Sequence, residues 1–172
     1  MTPVRRSAPV RALALALSAA ATGCGIQPTG VVEAGDSAGG LTKALRLYYA
    51  RDDRVEGVTR PDIELRSLND ITKLLMVEPT AGEQERGLAN LVRPGTYEVT
   101  GSGARVTLHA PDTDFSGTRS WLANGQWVCT LTRAQAVLDP SVRPDDVQVT
   151  LDGTGAPVGP YRCSQFLSGA SS

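Results

Sequence analysis

The stretch LRLYYARDDRV alternates apolar side chains with other residues. Leu45, Leu47 and Tyr49 occupy every second position, which predicts a half-buried β-strand. Asp52 and Asp53 interrupt the alternation and predict a turn into a second strand. A paired metal or acid–base role for the two aspartates is the alternative, but adjacent turn residues point apart. The pattern therefore favours a β-hairpin with a solvated turn.

A helical pattern follows in the stretch RSLNDITKLLMVEPT. Its apolar positions recur at spacings of three and four, as on one face of a helix: Leu68, Ile71, Leu74 and Leu75. Ser67 and Asp70 predict the start of this helix, and Pro79 predicts its end. Thr80 and Glu83 repeat the start signal as a capping box, which predicts a second, shorter helix.

Two further strands are predicted around the glycine-rich turn of TYEVTGSGARVTLHA. The segment GSG at 101–103 lies between strands rather than at a helix start, so a turn is favoured over a phosphate-binding loop. Val106 and Leu108 face one side of the second strand, which places His109 on the other, solvent-facing side. A lone histidine is weak support for a nucleophilic triad. The alternation in DDVQVTLDG predicts one more strand.

The stretch TRSWLANGQWVCTLTRAQAVLDP permits two interpretations. Asn124-Gly125 is a hairpin signal, whereas the apolar spacing on both sides of it fits one long helix. The helix is favoured, and the hairpin stays open as the alternative. Trp121 and Trp127 in this stretch, with Tyr161 further along, could line a ligand cleft. For the two tryptophans, a place in the core is the commoner situation.

Composition bounds the class of the protein. The 172 residues are 41% hydrophobic and 20% charged, which is typical of one globular domain. The formal net charge is −1, but after residue 23 there are 14 basic and 18 acidic side chains. Because nucleic-acid-binding domains usually carry a basic surface, this balance disfavours a nucleic-acid partner.

The first 24 residues have the layout of an export signal. The positive segment MTPVRRSAPVR precedes the apolar run ALALALSAAA, which is too short to cross a bilayer. The small residues ATG then precede Cys24, and this resembles the bacterial lipobox, in which the signal is removed and the cysteine is acylated. An ordinary signal peptide with an incidental cysteine is the alternative. Arg5-Arg6 leaves the export route open between general secretion and twin-arginine export.

The sequence thus predicts four regions. A signal peptide covers 1–23, a lipidated N-terminus with a flexible tether covers 24–42, a globular domain covers 43–167 and a disordered tail covers 168–172. Since a diacylglyceryl group inserts two acyl chains, such an anchor is durable. It predicts attachment to the outer face of the cytoplasmic membrane.

The number of cysteines, three, limits how they can pair. An odd count in an exported protein indicates one free or modified thiol. Lipidation of Cys24 leaves Cys129 and Cys163 to form a disulfide in an oxidising compartment. Two buried free thiols are the alternative. A metal site is disfavoured because His109 is the sole histidine and no CxxC spacing occurs, so no metal or cofactor is expected.

The combined pattern resembles the GerMN domain of spore-germination and actinobacterial lipoproteins. The resemblance covers about residues 43–165, through LRLYYARDDRV, LLMVEPTAGEQERGLANLVRPGTYEVT and GARVTLHA. Glu78 stands where members of the family usually have glycine. The resemblance implies an α/β (α+β) fold, a small mixed sheet of three to five strands with two main helices packed on one face. It carries over no catalytic residue and implies binding or assembly.

We therefore expect a non-catalytic, membrane-anchored binding or assembly module at the cell envelope. Its expected partners are the membrane, through the lipid anchor, and an envelope protein or a second copy of the chain. A sensor or binding protein for a small molecule or cell-wall fragment is the alternative. A hydrolase using Asp112 and Asp114 is a third hypothesis, which requires a carboxyl with a raised pKa.

Overall fold

The computed structural model describes residues 44–117 and 120–168. The predicted signal peptide, Cys24 and the tether lie outside the described residues, as does the predicted tail beyond Ser168. The strands in the described part are β1 (Leu45–Arg51), β2 (Arg54–Arg60), β3 (Glu98–Ser102), β4 (Arg105–His109), β5 (Gln148–Asp152) and β6 (Val158–Tyr161). The α-helices there are α1 (Asn69–Leu74), α2 (Ala81–Glu85), α3 (Trp121–Leu138) and α4 (Ser164–Leu167).

The strands form two sheets. One is the antiparallel pair β1-β2, and the other has the order β3-β4-β5-β6. Strands β4 and β5 are parallel, and the other neighbours are antiparallel. Parallel neighbours need a crossover connection, and α3 lies within it. The predicted α+β class with a mixed sheet of three to five strands is confirmed. Helix α3 has 18 residues, and the other three α-helices have six residues or fewer.

The hairpin predicted at Asp52-Asp53 is confirmed. The two aspartates are exposed and form the turn between β1 and β2, and Asp52 has a φ of 53°, a left-handed conformation that aspartate tolerates. Strand β1 is more buried than its alternation predicts. Tyr48 and Ala50 are buried as fully as Leu47, because α3 packs against this strand.

Polar side chains of α3 bond the edge of β1 that β2 leaves free. Thr130 Oγ1 accepts a hydrogen bond from the Tyr48 N–H at 3.0 Å, and Gln126 Nε2 donates to the Tyr48 carbonyl at 3.1 Å. Further along, Ala50 and Ala89 exchange backbone hydrogen bonds of 2.9 Å. A buried backbone group without a partner costs free energy. The two helix side chains therefore take the place of a neighbouring strand.

The segment around Asn124-Gly125 is helical, so the favoured interpretation is confirmed. Trp121–Leu138 is one continuous helix, and its residues 124–132 are all buried. A Cβ atom at Gly125 would lie 2.8 Å from Cδ1 of Phe166 in α4. This glycine therefore permits close packing of α4 and does not form a turn. No helix in the described residues has the length and apolar composition needed to span a bilayer.

The predicted hairpin of β3 and β4 is also confirmed, but its turn is at Gly103-Ala104, and Gly101 and Ser102 of the predicted turn belong to β3. Gly103 has a φ of 54°, which suits a glycine in a tight turn. Val106 and Leu108 are buried in the core, and His109 lies on the exposed face. The side chains of β4 therefore point alternately to the core and to the solvent, as the sequence predicts.

The two short helices begin at the predicted signals. The Asp70 carboxylate accepts the Ser67 N–H at 2.8 Å, and such backbone hydrogen bonds lower the pKa of Asp70. Helix α1 then starts at Asn69. At α2 the predicted capping box of Thr80 and Glu83 is confirmed, and Glu83 Oε2 accepts the Thr80 N–H at 2.9 Å.

Candidate functional site

An open cleft of about 640 Å³ lies beside the N-terminal turns of α3. Residues from 90–97, 112–115 and 120–127 line it. Its volume is within the range of about 300–1,000 Å³ that is typical of small-molecule sites. The Leu91 N–H donates to Gln126 Oε1 at 2.8 Å, which ties the first lining segment to α3. Helix α3, which packs against β1, therefore also forms one side of the cleft.

An aromatic pair, Tyr97 and Trp127, forms part of the lining. The ring centroids are 4.7 Å apart and the ring planes are tilted by 42°. Trp127 is 1% exposed, whereas Tyr97 is partly exposed and donates its hydroxyl to the carbonyl of Arg93 at 2.7 Å. These contacts hold the Tyr97 ring, and Tyr97 rather than the buried Trp127 supplies the aromatic surface of the cleft.

Asp112 and Asp114 also line the cleft, so the structure brings together the two acids named for a hydrolase. The Ser116 hydroxyl and N–H both donate to Asp114 Oδ1, at 2.6 and 2.8 Å. These hydrogen bonds hold the pKa of Asp114 below its ordinary value. An ionised carboxylate accepts hydrogen bonds and has no proton to donate, so Asp114 is poorly suited to act as a general acid.

Asn124 is a polar residue that lines the cleft and is only 3% exposed. Its Nδ2 donates to the carbonyl of Phe115 at 2.8 Å. Its Oδ1 is buried and has no hydrogen-bond partner among the described residues. An unpartnered buried acceptor costs about 1–3 kcal/mol. The atom has almost no accessible surface, so a ligand in the open cleft does not reach it.

The three aromatic residues that the sequence placed in one cleft are separated. Trp127 lines the cleft, whereas Trp121 and Tyr161 pack around Phe166, with centroid distances of 4.2 and 5.5 Å. Helix geometry gives the reason, because residues six apart on an α-helix point about 120° away from each other. The hypothesis that Trp121, Trp127 and Tyr161 line a common cleft is therefore wrong, and the core interpretation is confirmed for Trp127, which is 1% exposed.

His109 lies on β4 and is not among the residues that line the cleft. Its Nδ1 is 3.0 Å from Oδ2 of Asp152 on β5, and about half of its side chain is exposed. In residues 44–117 and 120–168, no group of three or more His, Cys, Asp or Glu side chains is placed to hold a metal ion. His109 therefore forms an exposed pair with one carboxylate.

Cys129 and Cys163 form a disulfide, with their Cα atoms 4.5 Å apart. Cys129 is a fully buried residue of α3, and Cys163 directly precedes α4. The bond ties the last described part of the chain to the central helix. Lipidation of Cys24, which lies outside the described residues, stays a prediction.

Comparison of the chain with protein-family models, with curated proteins and with solved structures finds no match.

Sequence reasoning missed Asn124, Tyr97 and Arg93 as lining residues. Asn124 is also part of a hairpin signal, but in the favoured helix it lies three positions before Trp127 and shares a helix face with it. That spacing was the available signal for Asn124. Tyr97 and Arg93 offered none, because only the tertiary fold brings their segment against α3.

Proposed function

We propose that this chain is a lipid-anchored protein of the outer face of the cytoplasmic membrane. Its globular domain acts as a non-catalytic binding or assembly module at the cell envelope.

The observation that carries the proposal is the disulfide between Cys129 and Cys163. Disulfides persist in oxidising compartments, which supports export of the chain. The bond uses two of the three cysteines, so Cys24 alone is left for another modification. Its place after an apolar run and three small residues supports acylation at that position.

The resemblance to the GerMN domain belongs to this proposal. The mixed four-stranded sheet fits the fold that the resemblance implies. The capping box at Thr80 and Glu83, and the β3-β4 hairpin after Pro94-Gly95, lie within the stretches that carry the resemblance. Because no catalytic residue carries over from that family, these features support a binding or assembly role.

We expect Cys24→Ser to release the protein from the membrane or to block its processing, because the thiol that would carry the diacylglyceryl group is removed. Two acyl chains hold a protein durably, at about 0.8 kcal/mol for each buried methylene. Membrane fractionation should move the variant from the membrane pellet to the soluble fraction or leave the unprocessed precursor. Mass spectrometry of the N-terminus should find the lipid on wild-type Cys24.

Thr22→Ser is the matched control, since it keeps a small residue in the same segment. It should leave attachment and processing unchanged. A Cys24→Ser variant that stays on membranes and is still trimmed would show that the lipobox interpretation is wrong.

The surface that best supports assembly is the outer face of the four-stranded sheet, here called the open face. Its polar side chains are exposed or partly exposed. They form three cross-strand rows: Ser102, Arg105 and Gln148; Thr100, Thr107 and Thr150; Glu98, His109 and Asp152.

Charge is distributed unevenly along the open face. Arg105 lies in the first row, and Glu98 and Asp152 lie in the last. A two-fold axis across the strands at the middle row would place Arg105 of each copy over His109 of the other, with Glu98 and Asp152 on either side of that histidine. Because such opposite charges fix the register of an interface, they support a second copy of this chain as the partner.

Photo-cross-linking from position 107, at the centre of the open face, should therefore give an adduct of two copies. Arg105→Glu should reduce this adduct severalfold, because it places like charges across the two-fold axis. Arg54→Glu, an exposed substitution on β2, is the matched control and should leave the adduct unchanged. An adduct with a different envelope protein alone would exclude the second copy, and the absence of any adduct would contradict assembly through this face.

Binding of a small molecule is the second candidate function. The observation that favours it is the cleft of about 640 Å³, a volume typical of small-molecule sites. Saturable ligand binding that perturbs Tyr97 or Trp127 would support this function, whether or not the open face pairs.

A further inference from the structure

We propose that the outer edge of β2 pairs with the same edge of a second copy of this chain, antiparallel and with the two-fold axis at Val58. This edge is a second surface beside those named in the proposed function. The inference uses neither the lipid anchor nor the open face.

The hydrogen bonds of β1 reveal which backbone groups of β2 point outward. The Tyr48 backbone bonds side chains of α3, and the Ala50 backbone bonds Ala89, so Tyr48 and Ala50 bond away from β2. In an antiparallel pair, the residues opposite these also bond away from the shared ladder. Gly57 is opposite Tyr48, and Thr59 lies two positions later on the same strand. Both therefore direct their N–H and C=O groups to the outer edge.

The edge is open at these two residues. Thr59 is exposed and Gly57 is partly exposed, and within the described residues neither backbone has a partner across the outer edge. Gly57 carries no side chain, and a Cβ atom there would lie 2.9 Å from the ring of Tyr48. Another backbone can therefore approach Gly57 closely. Val55 also bonds outward but is only 2% exposed, so the open part of the edge does not reach it.

The other outer edges of the two sheets are covered or unsuited to pairing. Side chains of α3 bond the free edge of β1. On β3, the Asn69 side chain accepts from the Val99 N–H at 2.8 Å and donates to the Val99 carbonyl at 3.3 Å. Strand β6 has four residues and includes Pro160, which has no N–H to donate. Because unpaired edge groups form a template for another strand, β2 is the edge best placed to pair.

Burial and charge exclude a two-fold axis at Glu56 or at Gly57. Either axis would require backbone hydrogen bonds from Val55, which is buried. An axis at Glu56 would also oppose that residue to its own copy. An axis at Gly57 would oppose Arg54 of each copy to Arg60 of the other. Like charges directly opposite each other destabilise a strand pair.

An axis at Val58 satisfies both conditions. It opposes Gly57 of each copy to Thr59 of the other, and each such pair exchanges two backbone hydrogen bonds. It also opposes Glu56 to Arg60 on both sides of a contact between the two Val58 side chains. Opposite charges across two strands stabilise the pairing and fix its register. An axis one residue further along would leave Gly57 opposite a position beyond the end of β2.

The two charged residues also have partners within their own copy. Glu56 Oε2 accepts from Nη1 of Arg51 at 2.8 Å. Both Nη atoms of Arg60 donate to Glu83, at 2.7 and 2.8 Å. These contacts do not use Glu56 Oε1 or Arg60 Nε. Pairing of two copies therefore joins the existing ion pairs into a network, in which charges contribute more than in isolated surface pairs.

The test compares cysteines at two positions of β2 in the full-length chain. In the proposed register the two copies of Val58 face each other with Cα atoms about 4.5 Å apart, whereas those of Thr59 lie on a diagonal of about 7–8 Å. A disulfide needs Cα atoms about 4.4–6.8 Å apart. After oxidation with copper phenanthroline in a cell lysate, Val58→Cys should give severalfold more disulfide-linked dimer than Thr59→Cys on a non-reducing immunoblot.

Removal of one outward N–H tests the hydrogen bonds. Thr59→Pro in the Val58→Cys chain should lower the amount of dimer severalfold, because proline has no N–H to donate to Gly57 of the other copy. Thr59→Val in the Val58→Cys chain is the matched control, since it keeps the N–H, and it should leave the dimer unchanged. Urea unfolding checks that these variants stay folded. The comparison of the two cysteine positions does not depend on the proline variant.

Three results would overturn the inference: no dimer from Val58→Cys, equal dimer from the two cysteine positions, or an adduct of Val58→Cys with a different protein alone. Membrane attachment through Cys24 is measured by fractionation, and pairing of the open face is measured by the adduct from position 107. Failure of the β2 inference is therefore distinguishable from failure of the proposed function.

Discussion

Removal of the disulfide by Cys129→Ala and Cys163→Ala should lower the free energy of unfolding by about 4 kcal/mol. The bond closes a loop with a sequence separation of 34 residues, and loop closure of that length restricts the unfolded chain by about this amount. It also anchors α4, a helix of only four residues whose Phe166 is fully buried against Gly125. Urea unfolding at neutral pH, followed by tryptophan fluorescence, measures the change.

Reductant provides the control for this prediction. It should lower the urea midpoint of the wild-type chain toward that of the double variant, and it should have no effect on the double variant itself. A double variant whose unfolding curve overlays that of the oxidised wild type would show that the bond contributes nothing to stability. Since two-state small domains have only about 5–15 kcal/mol of stability, the expected loss is a large fraction of the total.

Strands β1 to β5, the capping box and the disulfide were accessible from the sequence. The side chains of a strand point alternately to its two faces, so the alternation in LRLYYARDDRV predicts strands. The two aspartates within it predict the turn of the hairpin. The capping box is a contact between residues three apart, so Thr80 and Glu83 reveal it without tertiary information. The pairing of Cys129 with Cys163 followed from the odd cysteine count, given lipidation of Cys24.

Features that depend on distant segments were not accessible in the same way. Gln126 and Thr130 resemble solvent-facing residues of a helix, yet both are buried because β1 has an edge that needs partners. The cleft joins Asn124 to Tyr97, and nothing local indicates that the loop before β3 folds against α3. The position of Trp121 away from Trp127 was implicit in the helix prediction, since the six-residue spacing separates the two rings.

Glu83 is a buried carboxylate whose contacts are expected to change the stability of the protein with pH. Its side chain forms two hydrogen bonds with the guanidinium of Arg60, at 2.7 and 2.8 Å, and accepts the Thr80 N–H at 2.9 Å. Arg60 also lies 5.9 Å from the ring centroid of Tyr49. Glu83 is 6% exposed, so solvent screens these contacts little. The hydrogen bonds from Arg60, followed by those from Thr80, lower the pKa of Glu83 from 4.5 to about 2.

We expect this pair to make stability depend on pH in the acid range. Because the pKa is lower in the folded state than in the unfolded state, the contribution is fully present above the ordinary pKa of 4.5 and is lost as the pH falls towards 2. A pKa lowered to about 2 corresponds to about 3 kcal/mol of stability at neutral pH. Glu83→Gln should therefore be less stable than wild type by about 3 kcal/mol at pH 7, and the difference should shrink as the pH falls below about 4.5.

Urea unfolding at several pH values separates this effect from general acid destabilisation. Glu85→Gln is the matched control, since Glu85 is an exposed glutamate in the same helix, and it should change stability by less than about 0.5 kcal/mol at every pH. Arg60→Gln assigns the cause: the Arg60 contacts lower the Glu83 pKa most, so this variant should lose most of the pH dependence and keep the part due to Thr80. Parallel pH profiles for wild type and Glu83→Gln would show that the Glu83 carboxylate is not held by Arg60 in solution.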